Sequence, residues 1–442
     1  MRSQFALLTQ RRFGPYFLTQ FLGAFNDNVF KNALLLLLAY HAAEQFSLPS
    51  DVLINLSAGL FVLPFFLFSA ISGQLADKYP KARLVRYVKQ LEIVIMLAAA
   101  VALLVDAIVV LIALLFLMGV QSSLFGPVKY GVLPQLVDTD ELVGANGLVE
   151  TGTFLAILLG TACGGLLIAV DEIGRALVAA AVVSIAVAGY LSARAMPAVA
   201  ALAPDMRINW NLFTATRNTI AYARQSRLIF TAVCGISWFW FTGSVYLAQL
   251  PNFTLGYLHG DETVVTLLLA LFSIGVGCGS LLCEQLTRHR VDVGIVPLGA
   301  LGLAIFGFDL ALTAPATAVV LPGTELLGAG AWLSQLQAWR TVADVLLLGA
   351  SGGIFIVPLY AVLQQRSAPD HRARVIAANN IFNALLMVLA AIIAIAVLGQ
   401  GFSIGWLFGL VAVMTLALLT VLLAVEPEYL QSLLRLASRH TQ

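Results

Sequence analysis

Asp27 and Lys31 stand four residues apart in an otherwise apolar stretch, Asn26-Asp27-Asn28-Val29-Phe30-Lys31-Asn32. On a helix that spacing puts both charges on one face, where they can pair. An ionisable side chain inside a membrane-length run is costly and by default marks a substrate or ion path. Asn146 and Glu150 repeat the i,i+4 spacing further on, with Thr153 beyond them. Asp27, Asn28, Lys31, Asn146 and Glu150 therefore read as a polar seam suited to a charged head group. Two plainer readings stand beside it: Asp27 and Lys31 as a self-neutralised pair that glues helices, and Glu150 as a polar clamp on the first helix. Lys129, just after Gly126-Pro127, could meet a phosphate or simply snorkel to the interface. Trp238 and Trp240, in the aromatic run from Ser237 to Tyr246, could wall an acyl chain or pack as ordinary core.

A second constellation is Gly73-Gln-Leu-Ala-Asp77-Lys78-Tyr-Pro-Lys81-Ala-Arg83. Gly73 permits close approach of another helix. Asp77 can cap a neighbouring helix N-terminus, where free N–H groups and the dipole favour an anion. The expected partner is the chain near Arg372–Arg374. Gly73, Asp77 and Arg83 are the candidate gating residues; a solvated turn is the plain alternative. Glu92 is expected to pair with Lys89 or a loop arginine in a structural role, while Asp309 finds no assigned partner. The four cysteines, Cys163, Cys234, Cys278 and Cys283, form no CxxC pair and read as buried, inert thiols. The sequence points to no metal, no cofactor, no nucleic acid and no catalytic constellation.

These residues need elements to hold them. The 442 residues are 60% hydrophobic and 11% charged, with a mean hydropathy of +0.94. Apolar runs of about 20 residues recur, the length a helix needs to cross the hydrocarbon core. The pattern predicts an all-α polytopic membrane protein. Its expected spans are 15–40, 52–75, 84–105, 107–128, 142–169, 174–195, 228–251, 263–285, 294–314, 342–364, 374–398 and 402–424. Lys and Arg cluster on one side, as in Lys78, Lys81, Arg83, Arg86 and Lys89 after the second span and Arg207, Arg217, Arg224 and Arg227 in the centre. The opposite loops hold Glu44, Asp51, Asp171, Asp261 and Glu262. Positive charge marks the cytoplasmic side, so both termini are expected there.

The longest connection, 196–226, is expected to be a cytoplasmic linker between six-helix bundles at 1–195 and 227–425, with a cytoplasmic tail at 426–442. The halves share features in one order: Gly126-Pro127 against Val357-Pro358, Ala145-Asn146 against Ala378-Asn379, and Thr19/Gly23 against Thr231/Gly235. Parallel repeats of this kind are a transporter trait. Segment 325–341 reads as a short interfacial helix with Trp332, Leu333, Leu336 and Trp339 towards lipid, or as an ordinary structured loop. Gly160-x3-Gly164 and Gly275-x3-Gly279 read as close-packing sites.

Taken together, these motifs resemble the bacterial lysophospholipid transporters of the major facilitator superfamily. The residues that carry the resemblance are Gln20–Asn28, Gly73–Asp77, Gly126-Pro127-Val-Lys129-Tyr130-Gly131, Ala145–Glu150, Val357-Pro358-Leu and Leu363–Arg366. The resemblance implies transport of lysophosphatidylethanolamine and lysophosphatidylglycerol from the outer to the inner leaflet of the inner membrane, by alternating access. It implies a partner acyltransferase, with an acyl-activating enzyme, separate or fused. The 426–442 tail is similar to the segment that leads into the acyltransferase of fused members. Among candidate site residues it supports Asp27, Lys129, Asn146 and Glu150. Some members carry a basic residue in the seventh span; 237–250 has none here, and Lys31 could supply the charge. Two rival readings stay open: a polyspecific drug/proton exporter of the same fold, and a non-transporting scaffold for an acyltransferase.

Overall fold

The computed structural model describes residues 3–45, 50–313 and 325–440, without some side chains at the edges of those ranges. The side chains of Glu44 and Asp51, used above for the charge asymmetry, lie outside the described residues.

Among the described residues, fifteen α-helices follow in chain order: α1 (Gly14–Gln45), α2 (Ser50–Lys78), α3 (Lys81–Leu104), α4 (Ile108–Leu136), α5 (Leu142–Ile168), α6 (Gly174–Ala195), α7 (Leu212–Ala223), α8 (Arg227–Tyr257), α9 (Glu262–Leu286), α10 (Val296–Leu312), α11 (Ala329–Leu333), α12 (Leu336–Arg366), α13 (Arg372–Gly399), α14 (Ile404–Val425) and α15 (Glu428–His440). Ten of them are long and apolar enough to cross a membrane. Two more match expected spans: α1, whose middle carries the Asn26–Lys31 polar stretch, and the shorter apolar α10. The chain is thus a multi-pass helical membrane protein. In hydrocarbon each backbone N–H and C=O needs an internal partner, which a helix supplies.

Most helix ends fall within a few residues of the hydropathy limits, and the larger differences have local causes. The fourth span was expected to stop near Pro127, but α4 runs through Pro127 and Pro134 to Leu136. Its extension buries Val128, Tyr130, Val132 and Leu133. Proline is tolerated in membrane helices where neighbours satisfy the freed backbone groups. Likewise α8 passes Pro251 and continues to Tyr257, burying Phe253 and Thr254. Segment 325–341 does not form one interfacial helix. It splits into α11 and the first turn of α12, joined at Ser334 and Gln335. Trp332 is buried, whereas Leu336 and Trp339 are exposed. Cys283 is buried as expected, but Cys278 is exposed.

The described chain divides into two compact units. One holds residues 1–139, 155–225 and 364–384; the other holds 140–154, 226–363 and 385–442. Within the first, Gly160 and Gly164 of α5 take the α1 backbone. A methyl group there would stand 2.5 Å from the Phe25 carbonyl oxygen and 2.4 Å from that of Val29. Within the second, Gly279 of α9 leaves 1.9 Å to the Ala350 oxygen, and Gly353 of α12 leaves 2.4 Å to that of Val276. Both small-x3-small motifs therefore bring helix backbones into contact, as their spacing implied.

The connection 196–226 is more than a tether. The N–H groups of Leu202 and Ala203 donate to the Asp77 carbonyl. The Gln74 side chain exchanges two hydrogen bonds with the Asn209 backbone. Asn211 then caps α7 by accepting from the Thr214 N–H. The tail is helical too: α15 buries Tyr429 and Ser432, and the Tyr429 hydroxyl donates to Thr231 Oγ1 at 3.3 Å. Burial pushes the Tyr429 phenol well above its usual pKa.

Candidate functional site

In the first unit, α1 presents a polar stripe to α3 and α4. Asn26 and Asn28 are buried, while Asp27 and Lys31 are half-buried on an adjoining face. The Asn28 amide donates to its own helix at the Ala24 carbonyl. Asp27 Oδ2 accepts the Ser122 hydroxyl at 2.7 Å, and its Oδ1 has no hydrogen-bond partner. Among the described residues no ion pair joins Asp27 to Lys31, although the spacing allows one. The Lys31 ammonium lies over the Phe61 ring instead, 5.7 Å from its centroid, a favourable cation–π geometry.

A polar network that sequence reasoning underrated extends from this point. Lys89 and Glu92, placed by sequence at the cytoplasmic boundary, are buried and form an ion pair of 2.6 Å. Glu92 also accepts the Asn26 amide at 2.9 Å and the Gln121 amide at 3.2 Å. Ser122, next to Gln121, closes the route to Asp27. Room for the Lys89 ammonium comes from Gly23, where a methyl group would stand 2.5 Å from Nζ. Lys89 therefore belongs to the interior of α3, not to the loop. The available signal was its spacing: Lys89 and Glu92 are three apart on one helix face, beyond the last loop residues.

The second constellation sits at the end of α2. Asp77 is buried, and its carboxylate accepts the backbone N–H of Ala373 at 2.9 Å and of Arg374 at 3.3 Å. The Arg374 guanidinium adds a charged hydrogen bond of 3.0 Å. An anion thus caps the first turn of α13, where the helix dipole stabilises it. Gly73, one turn earlier, clears the space: a methyl group there would meet the Ala377 Cβ at 2.7 Å and the Ala373 oxygen at 2.9 Å. Arg83 does not take part, because its side chain points outward from α3 and is exposed. Besides Arg374, the buried cations near Asp77 include Lys81, which follows the Pro80 start of α3, and Arg372 at the start of α13.

Lys129 is half-buried, with its ammonium 5.0 Å from the Tyr130 ring centroid, and its carbonyl accepts the Tyr16 hydroxyl at 2.7 Å. Asn146 and Glu150 belong to the second unit, both buried. The Asn146 amide donates back to Leu142. One turn after Glu150, Phe154 packs among Phe239, Trp240 and Phe272. Trp238 is not an open wall. It stacks on Phe241 and gives its indole N–H to Thr415 at 3.0 Å inside the α8–α14 packing. Trp240 keeps some exposed surface. Asp309, unassigned by sequence, pairs with Arg340 across α10 and α12.

Ten membrane-length helices among the described residues, with α1 and the shorter α10 at two further expected spans, and a glycine–aspartate latch on a distant helix start are the features of a transporter of the major facilitator superfamily. Solved structures agree on the fold. The human organic anion transporter MFSD10 (TETRAN) superposes with a TM-score of 0.72 at 14% identity, covering 96% of this chain and 100% of that one. The fucose:proton symporter FucP of Escherichia coli gives 0.68 at 13% identity, over 93% and 98%. Residues 49–349 match the family described as "Transmembrane secretion effector". The lysophospholipid transporter LplT of Escherichia coli (strain K12 / DH10B) is 31% identical over 407 residues, 88% of this chain and 91% of the relative. The chain belongs to the lysophospholipid transporter family of the major facilitator superfamily.

Proposed function

We propose that the chain carries lysophospholipids across the bacterial inner membrane by alternating access, from the outer to the inner leaflet. Kinship at 31% identity over 91% of a protein named a lysophospholipid transporter supports the substrate class. The polar stripe at Asp27 supports it: a carboxylate whose buried second oxygen has no hydrogen-bond partner suits the ammonium of an ethanolamine head group once the cavity opens. The residues 1–195 and 227–425 act as the two bodies of the cycle, joined by 196–226. The Lys/Arg asymmetry supports cytoplasmic termini. Delivery to the inner leaflet would place the product where an acyltransferase, with an acyl-activating enzyme, can reacylate it.

The test is a leaflet-specific assay in proteoliposomes. Labelled lysophosphatidylethanolamine added outside becomes protected from back-extraction in vesicles that hold the protein, and not in empty ones. Equal protection in both would end the transport reading. Efflux of cationic dyes driven by a pH gradient, with no lysolipid movement, would favour a drug exporter instead.

A further inference from the structure

The linker helix α7 carries a feature that the transport cycle does not use. Phe213, Arg217, Ile220 and Arg224 fall at i, i+4, i+7 and i+11, one face of a helix. The opposite face, Ala215, Thr219 and Ala223, is buried, and Ala215 clusters with Ala70 of α2 and Ile381 of α13. The first face therefore stays open: Phe213 is 88% exposed, and Trp210, just before the helix, is 66% exposed. Between α7 and α2 lies a groove of about 750 Å³ lined by Phe66, Leu67, Phe213, Ile220, Arg217 and Arg224, among others. That volume is in the range of small-molecule sites.

The two walls differ in kind. Phe66 and Leu67 lie inside the membrane-crossing part of α2, Leu56–Lys78. Helix α7 is too short to span, at 12 residues, and pairs exposed aromatics with arginines, as interfacial helices do. The described lining holds two arginines and no Asp or Glu. A ligand with negative charge at the α7 end and an apolar tail at the α2 end fits these two walls. A guanidinium binds a phosphodiester well, whereas a head group with its own ammonium would set a cation against two others.

Helix α7 also touches the Asp77 latch. The Arg374 guanidinium lies 4.4 Å from the centroid of the Tyr222 ring, and that ring stacks on His371 at 4.8 Å. Arg374 in turn holds Asp77. We propose that the α2–α7 groove is a binding site for an anionic membrane phospholipid, head group on Arg217 and Arg224 and one acyl chain along Phe66 and Leu67. Its occupancy steadies the Asp77–Arg374 contact through Tyr222.

The full chain in detergent is titrated with dioleoyl phosphatidylglycerol, the phosphatidylcholine analogue, or glycerol phosphate, and bound lipid is read by native mass spectrometry beside thermal stability. Phosphatidylglycerol should be retained and raise the melting temperature, phosphatidylcholine far less, and glycerol phosphate not at all. Arg217→Gln/Arg224→Gln should weaken phosphatidylglycerol retention about ten-fold and melt as the native chain does in phosphatidylcholine. The exposed pair Arg288→Gln/Arg290→Gln should keep the native response. Tyr222→Leu should keep the lipid but lose the gain in melting temperature. An unchanged phosphatidylglycerol response in the Arg217/Arg224 variant, or the same shift from glycerol phosphate, would overturn the site. A native gain in melting temperature in Tyr222→Leu would overturn the coupling.

Discussion

Lys89 and Glu92 form an ion pair with side chains 0% and 1% exposed, Nζ to Oε2 at 2.6 Å. With Asn26 and Gln121 also on Glu92, the carboxylate is fully engaged inside the first unit. Removing one partner of such a pair strands a buried charge, at a cost of about 3–5 kcal/mol. Lys89→Met should accordingly melt far below the native chain in detergent. The double change Lys89→Met/Glu92→Gln should recover most of the loss. If Lys89→Met alone melts like the native protein, the pair contributes nothing to the fold.

Asp77 ties two segments almost 300 residues apart, with Ala373 and Arg374 as its donors. Its charge stabilises one arrangement of α13 and has no reason to touch substrate. Asp77→Asn keeps the shape but loses the charged part of the cap, worth on the order of 1 kcal/mol or more at a helix start. Transport in proteoliposomes should fall several-fold while lysolipid binding to the purified protein stays near native. Loss of binding in a folded variant would place Asp77 at the substrate; unchanged transport would remove it from the cycle.

Gly279 and Gly243 make a matched pair. A methyl group on Gly279 would stand 1.9 Å from the Ala350 oxygen, whereas one on Gly243 meets nothing within 4 Å. Gly279→Ala must push α9 and α12 apart and should sharply lower the yield of folded protein. Gly243→Ala should be neutral or slightly stabilising, since alanine favours helix over glycine by about 1 kcal/mol. The two yields by size-exclusion chromatography decide it. Equal yields would mean that the α9–α12 contact is not close-packed.

The span pattern was legible because hydropathy alone selects membrane helices, and so were the small-residue contacts at Gly160 and Gly275. The partner of Asp77 was also legible, since an acid after a glycine at a helix end seeks another helix start. The helix through Pro127 and Pro134 was not, because its continuation depends on burial of Tyr130 and Leu133 by neighbours distant in sequence. The Glu92–Lys89 pairing was legible from the i,i+3 spacing, but the burial of Lys89 was not, because Asn26 and Gln121 enclose the pair from other helices. Lys31 has the i,i+4 position beside Asp27 that helical spacing gives it, while its ammonium lies over the Phe61 ring of another helix, a contact no spacing rule could name. Trp238 looked like a cavity wall until Thr415, 177 residues away, was found to hold its indole.

Asp27 is the residue on which head-group recognition turns in the proposed transport cycle. Its Oδ2 is held by Ser122 and its buried Oδ1 has no hydrogen-bond partner; the proposed function assigns that second oxygen to the substrate ammonium. The measurement is paired uptake of lysophosphatidylethanolamine and lysophosphatidylglycerol by Asp27→Asn and Lys31→Met, with melting temperature in detergent for each. Asp27→Asn should stay folded and lose uptake, more for the ethanolamine head group than for glycerol, because only the former brings a cation. Equal losses for both head groups together with a large drop in melting temperature would contradict it and leave Asp27 as a packing residue of α1.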